Sequence, residues 1–379
     1  MRIAIVAGEA SGDLLAAHLI RALRARLPQA RFVGIGGPRM EAEGFESWWP
    51  AETLAVMGVV DVLASLPELL RVRRGLLARL KAEPPDVFIG VDAPDFNLSV
   101  ERRLRRRGVR TIHYVSPSIW AWRGHRVHKI GRAASRILCL FPFEPELYTR
   151  HGYQASFVGH PLADVFPLEP SREAARELLQ IEPDACVVAM LPGSRAGEVG
   201  HLAACYVATM QQMLAKRPAL QFLVPLITRQ TREQFEMALF QAGAQDLPVR
   251  LLFGHAHEAL TAADVALVAS GTATLETALL KRPMVITYKL GKWTFRIARW
   301  LNYLPWAGLP NILAREFIVP ELLQDQATPQ ALSSALLQWL DDADARRAVL
   351  ARFEQIHLSL RQNNAERAAD AVLAELKQA

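Results

Sequence analysis

The sequence predicts an α/β protein built as two doubly wound, mostly parallel domains. Short apolar runs alternate with longer amphipathic segments along nearly the whole chain, the pattern of repeated βα units. A proline-rich, weakly periodic stretch over 159–171, holding Pro161, Pro167 and Pro170, interrupts that alternation and reads as a linker. At 379 residues the chain has the length for two ordinary domains.

In the first half, strands are predicted at 3–7, 31–35, 87–91, 111–115 and 137–140. Helices separate them at 13–27, 67–81 and 98–107. Beyond the linker the strands are 187–191, 221–226, 249–253, 265–269 and 284–288, and from Thr328 the chain reads as helix to its end. Two such domains are expected to face each other across a cleft lined by their sheet edges.

Hydrophobic residues make up 51% and charged residues 22%, which excludes a disordered chain. The net charge of +6 suits an anionic partner such as phosphate or acidic lipid. No run resembles a nucleic-acid motif, so no nucleic-acid partner is expected. Cys139, Cys186 and Cys205 are odd in number and lack metal spacing, as buried thiols in a reducing compartment would. The first residues run straight into a glycine loop and read as a strand, not a signal peptide. The longest apolar stretch, 54–70, is broken by Gly58, Asp61, Pro67 and Glu68. A spanning helix needs roughly 20 apolar residues, so any membrane contact is expected to be peripheral.

Asp92 closes the strand at 87–91 and precedes Pro94, so its carboxylate falls on a turn at the carboxyl end of a parallel strand. There it can take a proton from a sugar hydroxyl, or serve as a turn-forming Asx residue. Three glycine loops follow other strands. The first, Gly8-Glu9-Ala10-Ser11-Gly12-Asp13, opens a helix but is neither a dinucleotide fingerprint nor a P-loop. The second, Gly193-Ser194-Arg195, adds a guanidinium fork that can hold a diphosphate, or make a surface ion pair. In the third, Ser270-Gly271-Thr272, first-turn amides and hydroxyls form an anion cradle. Glu276, one turn on, could hold two ribose hydroxyls or complement the helix dipole. Two such loops in one half point to a nucleotide diphosphate at that sheet's edge.

These segments together resemble the lipid-A-disaccharide synthase family of GT-B glycosyltransferases. The resemblance rests on Val6–Asp13, Gly37-Pro38-Arg39-Met40, Ala55-Val56-Met57-Gly58, Asp92-Ala93-Pro94-Asp95-Phe96-Asn97 and His113–Trp122 in the first half. In the second half it rests on Leu191–Arg195, Ala269–Thr272 and Leu309-Pro310-Asn311. It implies a UDP-2,3-diacylglucosamine donor and a 2,3-diacylglucosamine 1-phosphate acceptor, joined as a β(1→6) disaccharide phosphate with release of UDP. It also implies work at the cytoplasmic face of the Gram-negative inner membrane, no cofactor or metal, and a homodimer that exchanges its C-terminal segment. By the same likeness the first domain is 1–165 completed by helices from about 345–379, and the nucleotide domain is 166–344.

In this reading Asp92 is the general base of an inverting displacement, with Asp95, His18 and His113 as weaker rivals. Arg195 and the helix start at Ser270–Thr272 meet the charge on departing UDP. Asn311 is expected to hydrogen-bond donor or nucleotide, or to cap the turn after Pro310. Gly8, Glu9, Ser11 and Gly12 are expected to face substrate from the first domain. Leu69, Val72, Leu76 and Leu80 form one stripe flanked by Arg71, Arg73, Arg74 and Arg79, and Trp293, Phe295 and Trp300 alternate with Arg296 and Arg299. Both could lie on an anionic bilayer or pack on the protein's own core. The arginines of 101–107 read as a solvated face. The rival functions are another UDP-sugar GT-B enzyme, a glycan-precursor transferase or a 2-epimerase, and a non-catalytic nucleotide-sugar or lipid binding protein.

Overall fold

The computed structural model describes residues 1–54, 59–122, 124–289 and 304–377. The chain divides into two compact units, Met1–Asp164 with Leu360–Ala379, and Val165–Ser359.

The first unit holds a seven-stranded parallel sheet in the order β3-β2-β1-β4-β5-β6-β7. Its strands are β1 (Arg2–Ala7), β2 (Arg31–Gly36), β3 (Glu46–Pro50), β4 (Val87–Val91), β5 (Arg110–Tyr114), β6 (Arg136–Cys139) and β7 (Gln154–Phe157). Side chains alternate across it. Ile3, Ile5 and Ala7 enter the core beneath the helices Ala10–Arg26 and Asn364–Lys377, while Ala4 and Val6 enter the opposite core. Burial on both faces is what makes β1 and β4 continuous apolar runs.

The second unit holds a six-stranded parallel sheet, β10-β9-β8-β11-β12-β13. Its strands are β8 (Cys186–Leu191), β9 (Leu220–Leu226), β10 (Val249–Phe253), β11 (Val265–Ala269), β12 (Met284–Tyr288) and β13 (Glu321–Leu323). In each sheet the strand order reverses beside the first strand, between β1 and β4 and between β8 and β11. In open parallel sheets the carboxyl ends beside such a switch point are where ligands bind.

Three strands escaped the sequence pattern: β3, β7 and β13. All are sheet edges and only partly buried, so they carry no apolar run. The helix expected at 67–81 extends over Val59–Ala82 with Pro67 inside it. Its stripe is core: Val72, Leu76 and Leu80 are buried against Ala4, Val33 and Phe88. Arg79 stacks its guanidinium over Trp48 and Trp49, 5.3 and 5.0 Å from the ring centroids. This corrects the bilayer reading of the stripe. The second bilayer candidate, 293–301, and the 55–58 block lie outside the described residues. Arg102, Arg103, Arg105, Arg106 and Arg107 are solvent-exposed, as expected.

The expected return to the first domain near residue 345 comes later. Helix Ala343–Leu360 packs on the second unit through Val349, Phe353 and Ile356, with Lys281 Nζ 2.7 Å from His357 Nδ1. The crossing is made at Leu360, whose carbonyl accepts from the His160 amide at 2.9 Å. Asp164 then caps the Asn363 and Asn364 amides, and Asn364 Nδ2 donates to the Gly159 carbonyl at 2.8 Å.

His160 at this crossing is buried and stacked on Phe141, with Nδ1 accepting from the Leu162 amide. Burial lowers its pKa from 6.5 to about 4. Between those values the unfolded chain binds a proton that the folded chain refuses, so stability is fully present above pH 6.5 and is lost as pH falls toward 4. A loss on the order of 2–3 kcal/mol is expected over that window. Urea unfolding of the parent and His160→Gln between pH 7 and pH 4 checks it: the variant's acid limb should be shallower, and equal slopes would refute it.

Candidate active site

In the first unit, β1 and β4 lie side by side, with Ala7 opposite Val91, so the loops after them meet. A Cβ at Gly8 would come 2.9 Å from Leu54 Cβ, in the turn Ala51–Leu54 that follows β3, so glycine is a packing requirement there, while Ala93 of the β4 loop stands at contact distance, 3.5 Å. Helix Ala10–Arg26 starts at once after Glu9, earlier than the sequence suggested. Glu9 makes no side-chain cap, so the first-turn amides at Ala10 and Ser11 stay open beside exposed Glu9 and Ser11. Gly12 is buried within the first turn, 3.8 Å by its would-be Cβ from the Val91 carbonyl, and serves helix–strand packing. Asp13 turns away and accepts from the Gly37, Arg39 and Met40 amides.

Asp92 and Ala93 both take left-handed backbone, φ 51° and 42°. Such conformations cost of order 1–3 kcal/mol for non-glycine residues and persist where surroundings over-determine them. Here the Asp92 amide donates to the Tyr114 carbonyl at 2.8 Å, and its carbonyl accepts from Asn97 Nδ2 at 2.8 Å. Pro94 supplies the first turn of helix Pro94–Arg105, where its missing N–H is no loss. The backbone of Asp92 is thus tied down while its half-buried carboxylate has no hydrogen bond or ion pair among the described residues. Asp95, the rival, is exposed and accepts from Arg126 Nη2 at 2.9 Å.

Beneath this turn lies a polar cluster inside the core. Asn97, Glu101 and His113 are fully buried, with Glu101 Oε1 2.7 Å from His113 Nδ1. Burial pushes the Glu101 carboxyl up, and His113 pulls it part of the way back. A Cβ at Gly90 would strike Glu101 Oε1 at 2.2 Å, so that strand glycine makes room for the pair. His113 is therefore walled off from any substrate hydroxyl. His18 is half-buried, and burial followed by Arg21 holds its pKa below the usual imidazole range.

In the second unit β8 and β11 are neighbours, Leu191 opposite Val268, which sets Gly193-Ser194-Arg195 beside Ser270-Gly271-Thr272. Arg195 is the N-cap of helix Ala196–Lys216 and its side chain is 73% exposed. Two amides of this loop are engaged from within. Glu198 Oε2 accepts from the Ser194 and Arg195 amides at 3.1 and 3.3 Å, and its Oε1 lies 3.4 Å from Arg195 Nη1. Gly193 has φ +117°, and a Cβ there would sit 2.6 Å from Glu198 Oε2. The signal for Glu198 was in the sequence as the N-cap to N3 spacing of a capping box, with Arg195 in place of Ser or Thr.

The Ser270 hydroxyl, expected to donate to an anion, here donates to the Ala307 carbonyl at 3.0 Å. Gly271, at φ +153°, leads into helix Thr272–Leu279, where Thr272 is exposed and the first-turn amides point out of the helix end. Glu276 is half-buried with Oε2 3.3 Å from His257 Nε2, a partner no local spacing reveals. The hydrogen bond to Glu276 raises the His257 pKa.

Asn311, expected to hydrogen-bond donor or nucleotide or to cap the turn after Pro310, is engaged inside the fold. It is fully buried; Nδ2 donates to the Val319 carbonyl at 3.0 Å and to Glu321 Oε1 at 2.8 Å, and Oδ1 accepts from the Ile318 and Val319 amides. The amide's donors and acceptors are used within the fold. With Glu321, which also accepts from the Ala307 and Gly308 amides, it pins the turn that Ser270 touches. Asn311→Ala is expected to lower stability by on the order of 2–4 kcal/mol by stranding buried amides, with UDP affinity within about twofold of the parent. Chemical denaturation beside UDP titration checks this. A variant of parental stability that no longer binds UDP would restore the direct-contact reading.

The model of the Lipid-A-disaccharide synthetase family matches residues 3–375. The lipid-A-disaccharide synthase of Aromatoleum aromaticum is 60% identical over 375 residues, covering 99% of this chain and 96% of the relative. That of Pseudomonas aeruginosa (strain UCBPP-PA14) is 52% identical over 373 residues, covering 98% and 97%. Among solved structures, the UDP-GlcNAc 2-epimerase of Neisseria meningitidis superposes with a TM-score of 0.64 at 11% identity over 100% of both chains. The glycotransferase of kitacinnamycin superposes with a TM-score of 0.63 at 17% identity, covering 99% and 98%. These two likenesses show the fold, that of GT-B glycosyltransferases and epimerases. Matched from its first strand to its last helix, this chain belongs to the lipid-A-disaccharide synthetase family.

Proposed function

We propose that the protein is an inverting glycosyltransferase that joins UDP-2,3-diacylglucosamine to 2,3-diacylglucosamine 1-phosphate, giving the β(1→6) disaccharide phosphate and UDP, with Asp92 as general base. The observation that supports the base assignment is the pinned backbone and unengaged carboxylate of Asp92 at the carboxyl end of β4. Asp92 takes the proton of the acceptor's 6-hydroxyl, the oxygen attacks the anomeric carbon, and the bond to the diphosphate breaks on the far side. One displacement turns the α-linked donor into a β-linked product. Negative charge then grows on the leaving UDP. Arg195 and the amides at Ser194 and Thr272 are donors suited to it, and Glu198 must yield those it now holds. Glu276 is a carboxylate for ribose hydroxyls if it exchanges His257 for them.

The first-turn amides after Gly8, with Ser11, offer the acceptor's phosphate a helix N-terminus, and Glu9 beside them offers an acceptor for sugar hydroxyls. Acyl chains on both substrates place the reaction at a membrane surface, the cytoplasmic face of the inner membrane. No helix among the described residues is long and apolar enough to cross one. A homodimer would exchange the C-terminal segment that here packs on its own chain's first unit.

A transfer assay with diacylated UDP-glucosamine and diacylglucosamine 1-phosphate tests the function. Disaccharide and UDP should form in equal amounts. UDP without disaccharide, or epimerised donor alone, would favour the rival readings.

A further inference from the structure

A cavity of about 410 Å³ opens in the second unit where β8, β11 and β12 begin, at Cys186, Asp264 and Pro283. The glycine loops described above leave the other ends of β8 and β11, roughly 17–20 Å away along strands of this length. Five cationic side chains line the cavity, Arg172, Arg217, Lys281, Arg282 and Arg346, against the two carboxylates Asp184 and Asp264.

Most of these cations are engaged. Arg217 pairs with Asp341, and Arg346 Nη1 donates to the Trp339 and Leu340 carbonyls. Lys281 Nζ bonds the Leu279 carbonyl and His357. Asp264 is shared by Arg172, Arg176 and the Val187 amide. Arg282 remains. Its half-buried guanidinium has no ion pair and no hydrogen bond among the described residues, and its Nε is buried without a partner. Burial, and then neighbouring Arg172, push its pKa down to about 10. The turn that presents it is set by Lys281 at φ 59° and closed by Pro283.

Asp264 is the acid that offsets the Arg282 charge, but it is already shared with Arg172, Arg176 and the Val187 amide. A desolvated guanidinium that no hydrogen bond or ion pair closes among the described residues is costly, and a phosphate held by its two parallel N–H donors relieves that cost. We propose that this cavity is a second anion site, separate from the nucleotide loops, that takes a phosphate monoester on Arg282, with Arg172 and Lys281 beside it. The monoester could belong to a soluble metabolite or to a lipid headgroup.

The test is thermal unfolding of the full chain in inorganic phosphate against chloride at matched ionic strength. The parent should gain ~2–4 °C near saturation. Arg282→Met should lose that gain while keeping the shift produced by UDP, and Arg195→Ala should show the reverse. If Arg282→Met does not fold, Arg282→Lys keeps the charge without the fork, and its phosphate affinity should be ~10-fold weaker. Equal phosphate shifts in the parent and the Arg282 variant, or no shift beyond chloride in the parent, would overturn the site. Sedimentation with phosphatidic acid vesicles separates the sources. Weaker pelleting of the variant assigns a headgroup, and parental pelleting with a lost phosphate shift assigns a soluble ligand.

Discussion

Asp92→Asn is expected to lower kcat by ~10²–10⁴-fold while UDP affinity and the unfolding midpoint stay near parental values. The substitution is suited to separating chemistry from structure. Asn tolerates left-handed backbone as readily as Asp, so φ 51° is kept. The bonds that hold the turn, to the Tyr114 carbonyl and from Asn97 Nδ2, use the Asp92 main chain and survive. What is lost is the basic oxygen that receives the acceptor's proton. Single-turnover transfer and UDP calorimetry on one preparation decide the matter. Near-parental transfer would remove Asp92 as base, and a collapse of the unfolding midpoint would make it a structural residue.

Arg195→Ala should reduce kcat/KM by ~10²–10³-fold and weaken UDP binding, because a donor aimed at the leaving diphosphate is lost from both ground and transition states. Stability should hardly move. The Arg195 side chain is 73% exposed, and an exposed ion pair such as that with Glu198 contributes ~0–1 kcal/mol. The cap of helix Ala196–Lys216 is made by main-chain amides to Glu198 and persists in the variant. A fall in kcat with unchanged UDP affinity would show that Arg195 acts on the transition state alone. No change in either would leave it as the surface pair that the free chain displays.

Much of the fold was legible because parallel strands buried on both faces must be apolar throughout, and nine such runs stood out between amphipathic segments, with the half-exposed edge strand β10 found through its own Leu-Leu-Phe run. The edge strands β3, β7 and β13 were not, since half-exposed strands lack that signature. Helix starts were misplaced toward the C-terminus at Ala10 and Pro94 because their first turns are glycine, proline and polar residues. That error has a functional side at Ala10: the loop read as preceding that helix is largely its first turn, with open amides at Ala10 and Ser11.

That Asn311 and the Ser270 hydroxyl are engaged by the protein's own backbone was illegible for one reason. A short polar residue beside a glycine or proline turn looks the same whether it faces a ligand or the protein's own backbone. Val319 and Ala307, which claim these groups, sit 8 and 37 residues away in the chain. Glu276 with His257, and His113 with Glu101, were hidden in the same way. The stripe over 67–81 shows the converse, since periodicity names an apolar face without naming what covers it, and here the first sheet does.

The chain's own residue order determined the two βα domains, the family, and the placement of an acid and three glycine loops at strand ends. All of these follow from local periodicity and turn chemistry. Tertiary structure alone decided which polar groups are left over. Among the described residues Asp92 ends with its carboxylate in no hydrogen bond or ion pair, Arg282 with its guanidinium in none, and Asn311 with its amide fully used. A hydrogen bond or ion pair is closed by whichever distant segment the sheet brings alongside, and no local pattern records that neighbour.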